Sequence, residues 1–456
     1  MKEINNKANF NSSLVGRLGG AEYINLYKQY HETIKKHSSA LMNAGRDASF
    51  ALFEKLGFPT TKLEKYKYTD LTDALSYDYG LNINRLSIPV NPYQVFKCDV
   101  PGIQSYLYFV LNDGFYPVND KRNDDLPENV IICSLREASE KYPALVEKYY
   151  GKLTATKNDG LVAFNGAFAQ DGFFMYVPEN VQLDRPVQLI NIMRSDVDFM
   201  ANSHNLIILE KNAKAQLLVC DHTMDDVRFV TNRVTEVFVD EYATYEHYKL
   251  ENTHNKTTNL STLLIDQKAS SNVLGNIITL HNGVTRNTIE IGINGEHCET
   301  TLCGMVVGDK NQQVDNYTSI RHNKPNCHST ELFKYVLDDV SKGGFTGELY
   351  VARDAQRCRA TAARPGSTAR FANRRAGHYR SLHGADPGGQ GVPVCATSTG
   401  CSTGVPLSMV TGAMERPLAL VCCGKGRVAQ VVQFRWRGRG IRGHIAPGVA
   451  YLDGHS

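Results

Sequence analysis

The feature that most constrains the fold is a stretch, residues 161–351, in which apolar residues recur at a spacing of two. Leu206 and Ile208 follow this rhythm, and so do Ile289 and Ile291 further along. Side chains two residues apart lie on the same face of a β-strand, so the pattern predicts strands separated by turns rich in Asn, Gly and Asp. We find no helical pattern in this stretch and predict that it is β throughout.

A β region of this length must protect its strand edges, because exposed edges pair with other chains. Two architectures achieve this. One is a sandwich or barrel, and the other is a coil of stacked strands, a β-helix, with edges at its two ends. The sequence shows no repeat of fixed period, which a β-helix would be expected to produce. Periodicity by itself therefore favours the β-helix only slightly.

Residues 1–95 are predicted to form a helical N-terminal region. Tyr23, Tyr27 and Ile34 recur at spacings of four and seven and therefore share one helix face. A second helix is predicted over residues 47–56, because Gly57 follows it directly and favours a helix end.

The rest of the chain divides into three further regions. Residues 96–160 are predicted to be a mixed α/β connection, with a strand near 106–111 and a helix near 135–150. Residues 161–356 form the predicted β core, and residues 357–456 form a tail of different composition.

Charge separates the tail from the rest of the chain. The last 102 residues contain 13 Arg and one Lys against three acidic residues, a net charge of +11, whereas residues 1–354 carry a net charge of −8. Gly is also concentrated in the tail, with 16 of the 37 residues. High Gly content without sustained periodicity predicts an irregular, disordered segment.

Several functional classes are disfavoured by the sequence. No segment has the ~18 apolar residues of a membrane span, and the N-terminus lacks the apolar stretch of a secretory signal. The cysteines of 1–354 are scattered, which argues against a disulfide framework. We therefore expect a cytoplasmic protein with no membrane partner. A Gly-x-x-x-x-Gly-Lys-Ser/Thr loop is absent, so ATP hydrolysis by this chain is not expected.

Five sequence blocks occur in a fixed order along the chain. They are residues 64–70 (EKYKYTD), 112–115 (NDGF), 163–172 (AFNGAFAQDG), 313–322 (QVDNYTSIRH) and 344–347 (GFTG). Together they resemble the SufB/SufD family of iron–sulfur cluster assembly scaffolds and are most similar to its SufD branch. Tyr66 stands where the family usually has Trp. The resemblance covers residues 45–356.

The resemblance implies a right-handed parallel β-helix between helical terminal regions, and a scaffold with no catalytic residues of its own. It also implies two partners, a SufB-like paralogue and a SufC-like ATPase. Clusters usually need four Cys or His ligands, and the sequence has no closely spaced set. We therefore expect no tightly bound cofactor in this chain alone, and a transient cluster shared with a partner. A SufB-like role in the same complex is the first alternative.

The sequence departs from the family after Gln356. A Lys-Pro-Gln-Leu-Glu-Ile segment and a Cys-x-His-Gly motif are expected there, and neither is present. The excess of Arg, Gly, Ala and Pro, which share GC-rich codons, indicates a change of reading frame near codon 356. The resemblance places the metal-binding His in the lost part, so the metal ligands of this chain stay unknown.

Residues 434–442 (FRWRGRGIR) resemble an Arg/Gly nucleic-acid-binding segment in which Trp436 could stack on a base. Off-frame residue statistics explain this composition equally well, together with the Cys and Ala excess. We therefore predict no specific nucleic-acid partner.

His322, Cys327 and His328 suggest a metal site by residue type alone. Adjacent residues of a strand face opposite ways, so Cys327 and His328 would not chelate one ion. Six residues of extended strand would separate His322 from His328 by about 20 Å. We therefore predict structural roles for these residues.

Asp315, Asp338 and Asp339 raise a second alternative, a β-helix carbohydrate-active enzyme. Hydrolysis would require carboxylates about 5–10 Å apart in a cleft, which the sequence does not indicate. We predict instead that the important residues are architectural. These are Asp315, Asn316, His322, Phe345 and Gly347, while Tyr66 and its neighbours anchor the N-terminal region to the body.

Overall fold

The structure describes residues 18–95, 104–117 and 120–363, and short strands between residues 418 and 434. In this computed structural model, the N-terminal region begins with α1 (Leu18–Lys36), α2 (Ala40–Ala44) and α3 (Arg46–Leu56). Ser39 caps α2 by accepting a backbone N–H, and Gly57 ends α3 at a φ of 64°. The second predicted helix is thus confirmed, because its cap chemistry is visible in the sequence.

The predicted helical N-terminal region is confirmed, but its helices do not continue through residues 57–91. Between Gly57 and the short α4 (Pro92–Val95), the chain has one 3₁₀ turn, Glu64–Tyr66, and is otherwise irregular. These residues dock individually instead of through a helix face. Tyr66 is 2% exposed, and its hydroxyl donates to Asp159 Oδ2 over 2.8 Å.

In its described residues, 104–117 and 120–160, the connecting region contains three strands and two α-helices: β1 (Tyr106–Leu111), β2 (Gly114–Tyr116), β3 (Ile131–Ser134), α5 (Leu135–Lys141) and α6 (Pro143–Tyr149). The predicted strand is confirmed. The single helix predicted near residues 135–150 is divided into α5 and α6 at Pro143. Proline lacks an N–H and favours the first position of a new helix.

A buried helix corrects the prediction of uninterrupted β structure from residue 161. Helix α7 spans Gly160–Phe168, and the Asp159 side chain accepts the N–H of Leu161 at its start. Eight of its nine residues are buried. A helix surrounded by protein has no polar face, so it shows no amphipathic period in the sequence.

From residue 173 the chain coils into a parallel β-helix of two sheets, which confirms the predicted core. Its strands are β4 (Phe173–Val177), β5 (Val187–Met193), β6 (Phe199–Leu209), β7 (Lys214–Thr223), β8 (Phe229–Val239), β9 (Thr244–Asn252), β10 (Thr257–Gln267), β11 (Asn272–His281), β12 (Val284–Ile293), β13 (Glu299–Gly308), β14 (Gln313–His322), β15 (His328–Leu337), β16 (Lys342–Val351) and β17 (Arg359–Ala363). Even-numbered strands stack in one sheet and odd-numbered strands in the other. Each coil therefore contributes one strand to each sheet.

One corner repeats the same backbone conformation coil after coil. A non-glycine residue with φ between 57° and 61° stands two positions before each odd-numbered strand from β7 to β17; these residues are Asn212, Tyr242, Ser270, His297, Asn326 and Arg357. The spacing between successive members of this series is not constant. This variation in coil length explains why no fixed period is visible in the sequence.

Two of the apolar clusters among the described residues join the largest parts of the fold. Inward-facing side chains of both sheets form the main core, which extends from Tyr106 to Phe345. A second cluster joins the N-terminal helices to α7, with the rings of Tyr23 and Phe53 5.2 Å and 5.0 Å from that of Phe164. Each buried aromatic side chain contributes about 1.5–3 kcal/mol relative to exposure. Among the described ranges, no helix is long and apolar enough to cross a membrane.

Strand β17 pairs in parallel with β15, so the coil continues beyond residue 356, where we predicted the core to end. Further along, β18 (Leu418–Leu420) pairs with β21 (Val432–Phe434), and β19 (Cys423–Gly424) pairs with β20 (Arg427–Val428). The remainder of the tail, with Trp436 and most of the residues predicted to be disordered, lies outside the described residues.

Candidate functional site

Three cysteines stack at the repeated corner of the last coils. Cys298, Cys327 and Cys358 each occupy the position directly before an odd-numbered strand. Backbone hydrogen bonds join these positions, since His328 donates to the carbonyl of Cys298 and Arg359 to that of Cys327, both over 2.9 Å. The coil geometry therefore aligns thiols that are separated by a whole coil in the sequence.

His322 completes a compact group at this corner. It is the last residue of β14 and is fully buried. A ring nitrogen of His322 and the Sγ atoms of Cys327 and Cys358 all lie within 4.8 Å of one another. The His322 Nε2 lies 2.9 Å from Ser329 Oγ, whereas Nδ1 is buried and has no hydrogen-bond partner. Burial, with a smaller effect of His328, lowers the pKa of His322 to about 4, so the ring is neutral at pH 7.

The two thiols of this group differ in exposure. Cys327 is 2% exposed, and its Sγ donates to the carbonyls of Gly295 and Pro325, both over 3.2 Å. Burial raises the pKa of Cys327 to about 12. Cys358 is half-buried and donates to the Lys324 carbonyl over 3.3 Å. In the absence of a metal the buried thiol is therefore protonated and a weak nucleophile.

This geometry corrects our prediction that six residues of extended strand hold His322 about 20 Å from His328, because the His322 Nε2 lies 2.9 Å from Oγ of Ser329, the next residue. The chain does not remain extended, because residues 323–327 turn the corner between β14 and β15. The prediction that Cys327 and His328 do not share an ion is not affected. Sequence reasoning missed Cys358 altogether, although its spacing from Cys327 is close to one coil length.

The interior of the middle coils holds charged residues that sequence reasoning also missed. Arg233 Nη1 lies 3.1 Å from Asp221 Oδ1, and Lys249 Nζ lies 2.5 Å from Glu251 Oε1, with all four side chains nearly inaccessible. Burial would raise the pKa of Asp221, but Arg233 and Lys249 hold it below its usual value. Paired charges of this kind are tolerated in a low-dielectric interior.

A cavity of about 20 Å³ lies beside these charges and has room for a water molecule. Arg233, His247 and Lys249 contribute to its lining. Burial, together with Lys249 and Arg233, lowers the pKa of His247 to about 3, and its Nδ1 lies 2.8 Å from Tyr245 Oη. His247 is therefore neutral at physiological pH, and the cavity is too small for a metabolite.

Two family models match consecutive parts of the chain. The SufBD protein N-terminal region matches residues 19–189, and the SUF system FeS cluster assembly, SufBD core domain, matches residues 191–364. The chain belongs to the SufBD family. It is an iron–sulfur cluster assembly protein by that membership, which confirms the resemblance seen in the five sequence blocks.

Three related SufBD proteins share less than 30% of their residues with this chain. An iron–sulfur cluster assembly SufBD family protein of Synechocystis is 22% identical over 70% of this chain and 71% of its own length. A Staphylococcus saprophyticus protein of the same description is 25% identical over 50% of this chain and 48% of its own, and a chloroplastic one of Arabidopsis thaliana is 22% identical over 50% and 42%. The match thus spans about half the length of the second and third relatives.

The SufBD core match ends at residue 364, close to the end of β17. Both the match and the strand pairing extend past Gln356. The interpretation that the reading frame changes near codon 356 stays a prediction, as does the assignment to SufD.

The SufBD block at 313–322 supplies buried polar contacts. Asn316 accepts from Asn287 Nδ2 over 3.0 Å and donates to Tyr335 Oη over 2.8 Å. Near the end of the core, Phe345 packs against Phe333, with ring centroids 4.8 Å apart. A Cβ atom at Gly347 would lie 3.2 Å from the Phe345 ring, so a larger residue there would require the ring to shift by a few tenths of an ångström.

The carboxylates that suggested a carbohydrate-active enzyme do not form a cleft in this SufBD protein. Asp315 is buried, and its Oδ2 accepts hydrogen bonds from the side chains of Arg286 and Thr69. Asp338 and Asp339 lie in the exposed turn after β15, where Asp338 accepts the backbone N–H of Asp339. This geometry offers no acid/base pair and gives that alternative no support.

The last described coils contain buried polar atoms without hydrogen-bond partners: Asp315 Oδ1, Ser319 Oγ and His322 Nδ1. The buried Glu331 carboxyl is hydrogen-bonded to Thr318. Burial raises the pKa of Glu331 to about 7. Buried polar atoms normally find a partner, because an unmade hydrogen bond is costly.

Proposed function

We propose that this SufBD protein is a SufD-like scaffold subunit of a cytoplasmic iron–sulfur cluster assembly complex. It works with a SufB-like paralogue and a SufC-like ATPase. The ATPase is a separate subunit because this sequence lacks a phosphate-binding loop. A cluster assembled by the complex would be transient and shared between chains, with no catalytic residue of this chain taking part.

The observation that carries this proposal is that, within the part of the chain that the structure describes, each sheet of the β-helix has an unpaired strand edge at its C-terminal end. Among the described residues, β16 is the terminal strand of one sheet and β17 of the other. A parallel strand with an unpaired edge is a template for another strand. A paralogue with the same fold presents strands of the same spacing, so it can continue both sheets.

The donors available on that edge can be identified from the pairing of β16. Lys342 and Ala352 donate their N–H groups toward β14, to Gln312 and His322. In a parallel strand, alternate residues bond to opposite neighbours. The N–H groups of the odd-numbered residues of β16, Val351 among them, therefore point toward the free edge.

The first test is co-expression of the full chain with the SufB-like and SufC-like proteins of its own organism. We expect a ternary complex in size-exclusion chromatography and a higher ATP turnover than with the ATPase alone. Pairing with a SufD-like paralogue instead would identify this chain as the SufB-like subunit. Absence of any complex and of any effect on ATP turnover would refute the scaffold role.

The second test addresses the edge directly. Val351→Pro removes an outward-facing N–H at the end of β16, where proline is tolerated. Val351→Ala is the matched control, because it shortens the same side chain and keeps the N–H. We expect the proline variant to lose the paralogue and the alanine variant to retain it. Equal binding by both variants would exclude pairing through this edge.

A further inference from the structure

The corner formed by His322, Cys327 and Cys358 combines two thiols with an imidazole whose Nδ1 has no hydrogen-bond partner. We propose that these three residues bind one thiophilic divalent cation of the Zn²⁺ or Fe²⁺ class. The three ligand atoms already lie within 4.8 Å of one another, on two consecutive coils. A small contraction would bring them to tetrahedral coordination distances.

The donor types select the class of metal. Thiolate sulfur and imidazole nitrogen favour zinc and iron over magnesium and calcium, which prefer oxygen ligands. Two thiolates neutralise the charge of a divalent ion, and a neutral imidazole adds none. The complete site is thus uncharged, which suits a corner in which His322 and Cys327 are almost wholly buried.

The hydrogen bonding of His322 prepares the ring for a metal. In the tautomer that carries its proton on Nε2, Ser329 Oγ accepts from Nε2–H and the lone pair lies on Nδ1, the ring nitrogen without a partner. Metal-bound histidines commonly donate their other N–H to a neighbouring oxygen, which fixes the tautomer. Ser329 therefore acts as a positioning residue, and the metal satisfies the orphan nitrogen.

Three protein ligands leave one tetrahedral position open, as in sites where zinc binds an exchangeable ligand. That position can accept water, an exogenous thiolate or inorganic sulfide. Binding replaces the two thiol protons by the metal ion, so two protons leave for each ion bound. No electron is transferred in this step.

The test uses the full chain with Cys395, Cys401, Cys422 and Cys423 replaced by serine, because these tail thiols could bind metal independently. The reduced, metal-free protein is titrated with Co²⁺ without oxygen. We expect one ion per chain, tetrahedral ligand-field bands, thiolate-to-cobalt charge-transfer absorption and the release of two protons.

Substitution of single ligands assigns the site. Cys327→Ser and Cys358→Ser should each lower the charge-transfer intensity by about half and weaken cobalt binding at least tenfold. Each of these variants should release one proton, instead of two, when it binds the ion. His322→Ala should weaken binding at least tenfold while both thiolates remain. Cys133→Ser, which changes a half-buried thiol of β3, is the control and should bind as the parent does.

Unfolding followed by circular dichroism in chelator shows which variants are folded. Cys358 is the most exposed ligand, so its variant keeps the test decisive if the buried substitutions fail to fold. Binding without thiolate charge transfer, or an unchanged spectrum in Cys358→Ser, would overturn the proposal. Because the isolated chain is used, either result leaves the scaffold role to be tested separately.

Discussion

Arg286 Nη1 lies 2.5 Å from Asp315 Oδ2, and the two side chains are 1% and 3% exposed. The same guanidinium donates to the Lys65 carbonyl over 2.6 Å and lies over the ring of Tyr66, 4.8 Å from its centroid. One buried ion pair thus joins β12 and β14 to the N-terminal segment. This contact gives a physical role to two of the sequence blocks that carry the family resemblance.

Removing one member of this pair should strongly destabilise the protein. Asp315→Ala leaves the Arg286 charge buried without its partner, and loss of one partner of a buried pair costs about 3–5 kcal/mol. Urea unfolding of the full chain would measure it. Arg321→Ala is the control, because Arg321 pairs with Glu348 at 3.4 Å on an exposed surface, where a pair contributes about 0–1 kcal/mol. Similar losses of unfolding free energy in Asp315→Ala and Arg321→Ala would contradict the role given to the buried ion pair.

Arg46 should be irreplaceable by lysine. Its guanidinium is 1% exposed and donates to the carbonyls of Ala167 and Ala169 over 2.7 and 2.9 Å, which joins α3 to the end of α7. Lysine keeps the charge but lacks the planar fork. We expect Arg46→Lys to lower the unfolding free energy by about 1–3 kcal/mol. Amide hydrogen exchange should show lost protection in α3 and α7, with the β-helix strands unaffected; unchanged protection in both helices would refute this.

Glu331 should make stability depend on pH. Burial raises its pKa from 4.5 to about 7 in the folded state. Between these pKa values the folded protein holds more protons than the unfolded chain, so stability from this group is full below about pH 4.5 and falls as pH rises toward 7. A shift of this size corresponds to on the order of 3 kcal/mol.

Glu331→Gln removes this titration. The variant should match the parent near pH 4.5 and exceed it in stability at pH 8, as measured by urea unfolding at each pH. Glu241→Gln, at an exposed position paired with Lys211, is the control and should keep the parental pH profile. If Glu331→Gln keeps the parental slope, another group titrates in this range.

Two glycines of the helical region should respond in opposite directions to alanine. A Cβ atom at Gly160 would lie 1.9 Å from the Gly57 carbonyl oxygen, whereas Gly20, in α1, has nothing within 4 Å of that position. We expect Gly160→Ala to destabilise by about 1–3 kcal/mol or more through overpacking. Gly20→Ala should stabilise by about 0.5–1 kcal/mol, because alanine favours helix. Thermal unfolding of both variants would measure these changes in stability. Equal shifts of the unfolding temperature would contradict the close approach of α7 to residue 57.

The sequence by itself determined the local elements that have a visible signal. Strand β1 and helix α3 are where periodicity and Gly57 predicted them, and the alternation in 161–351 predicted the β core. The resemblance carried by short blocks identified the family. It also supplied the β-helix, which periodicity barely favoured because coils of unequal length blur the repeat.

Tertiary structure decided the features that depend on contacts distant in sequence. Helix α7 was invisible because it is buried on all sides, so no polar face marks its period. The metal corner was invisible for a different reason. Cys327 and Cys358 are a full coil apart in the sequence, and it is the stacking of successive coils, together with the turn after His322, that brings their donors within reach of one ion. Sequence specifies which way a side chain faces on its strand, whereas the length and closure of each coil decide which side chain lies above it.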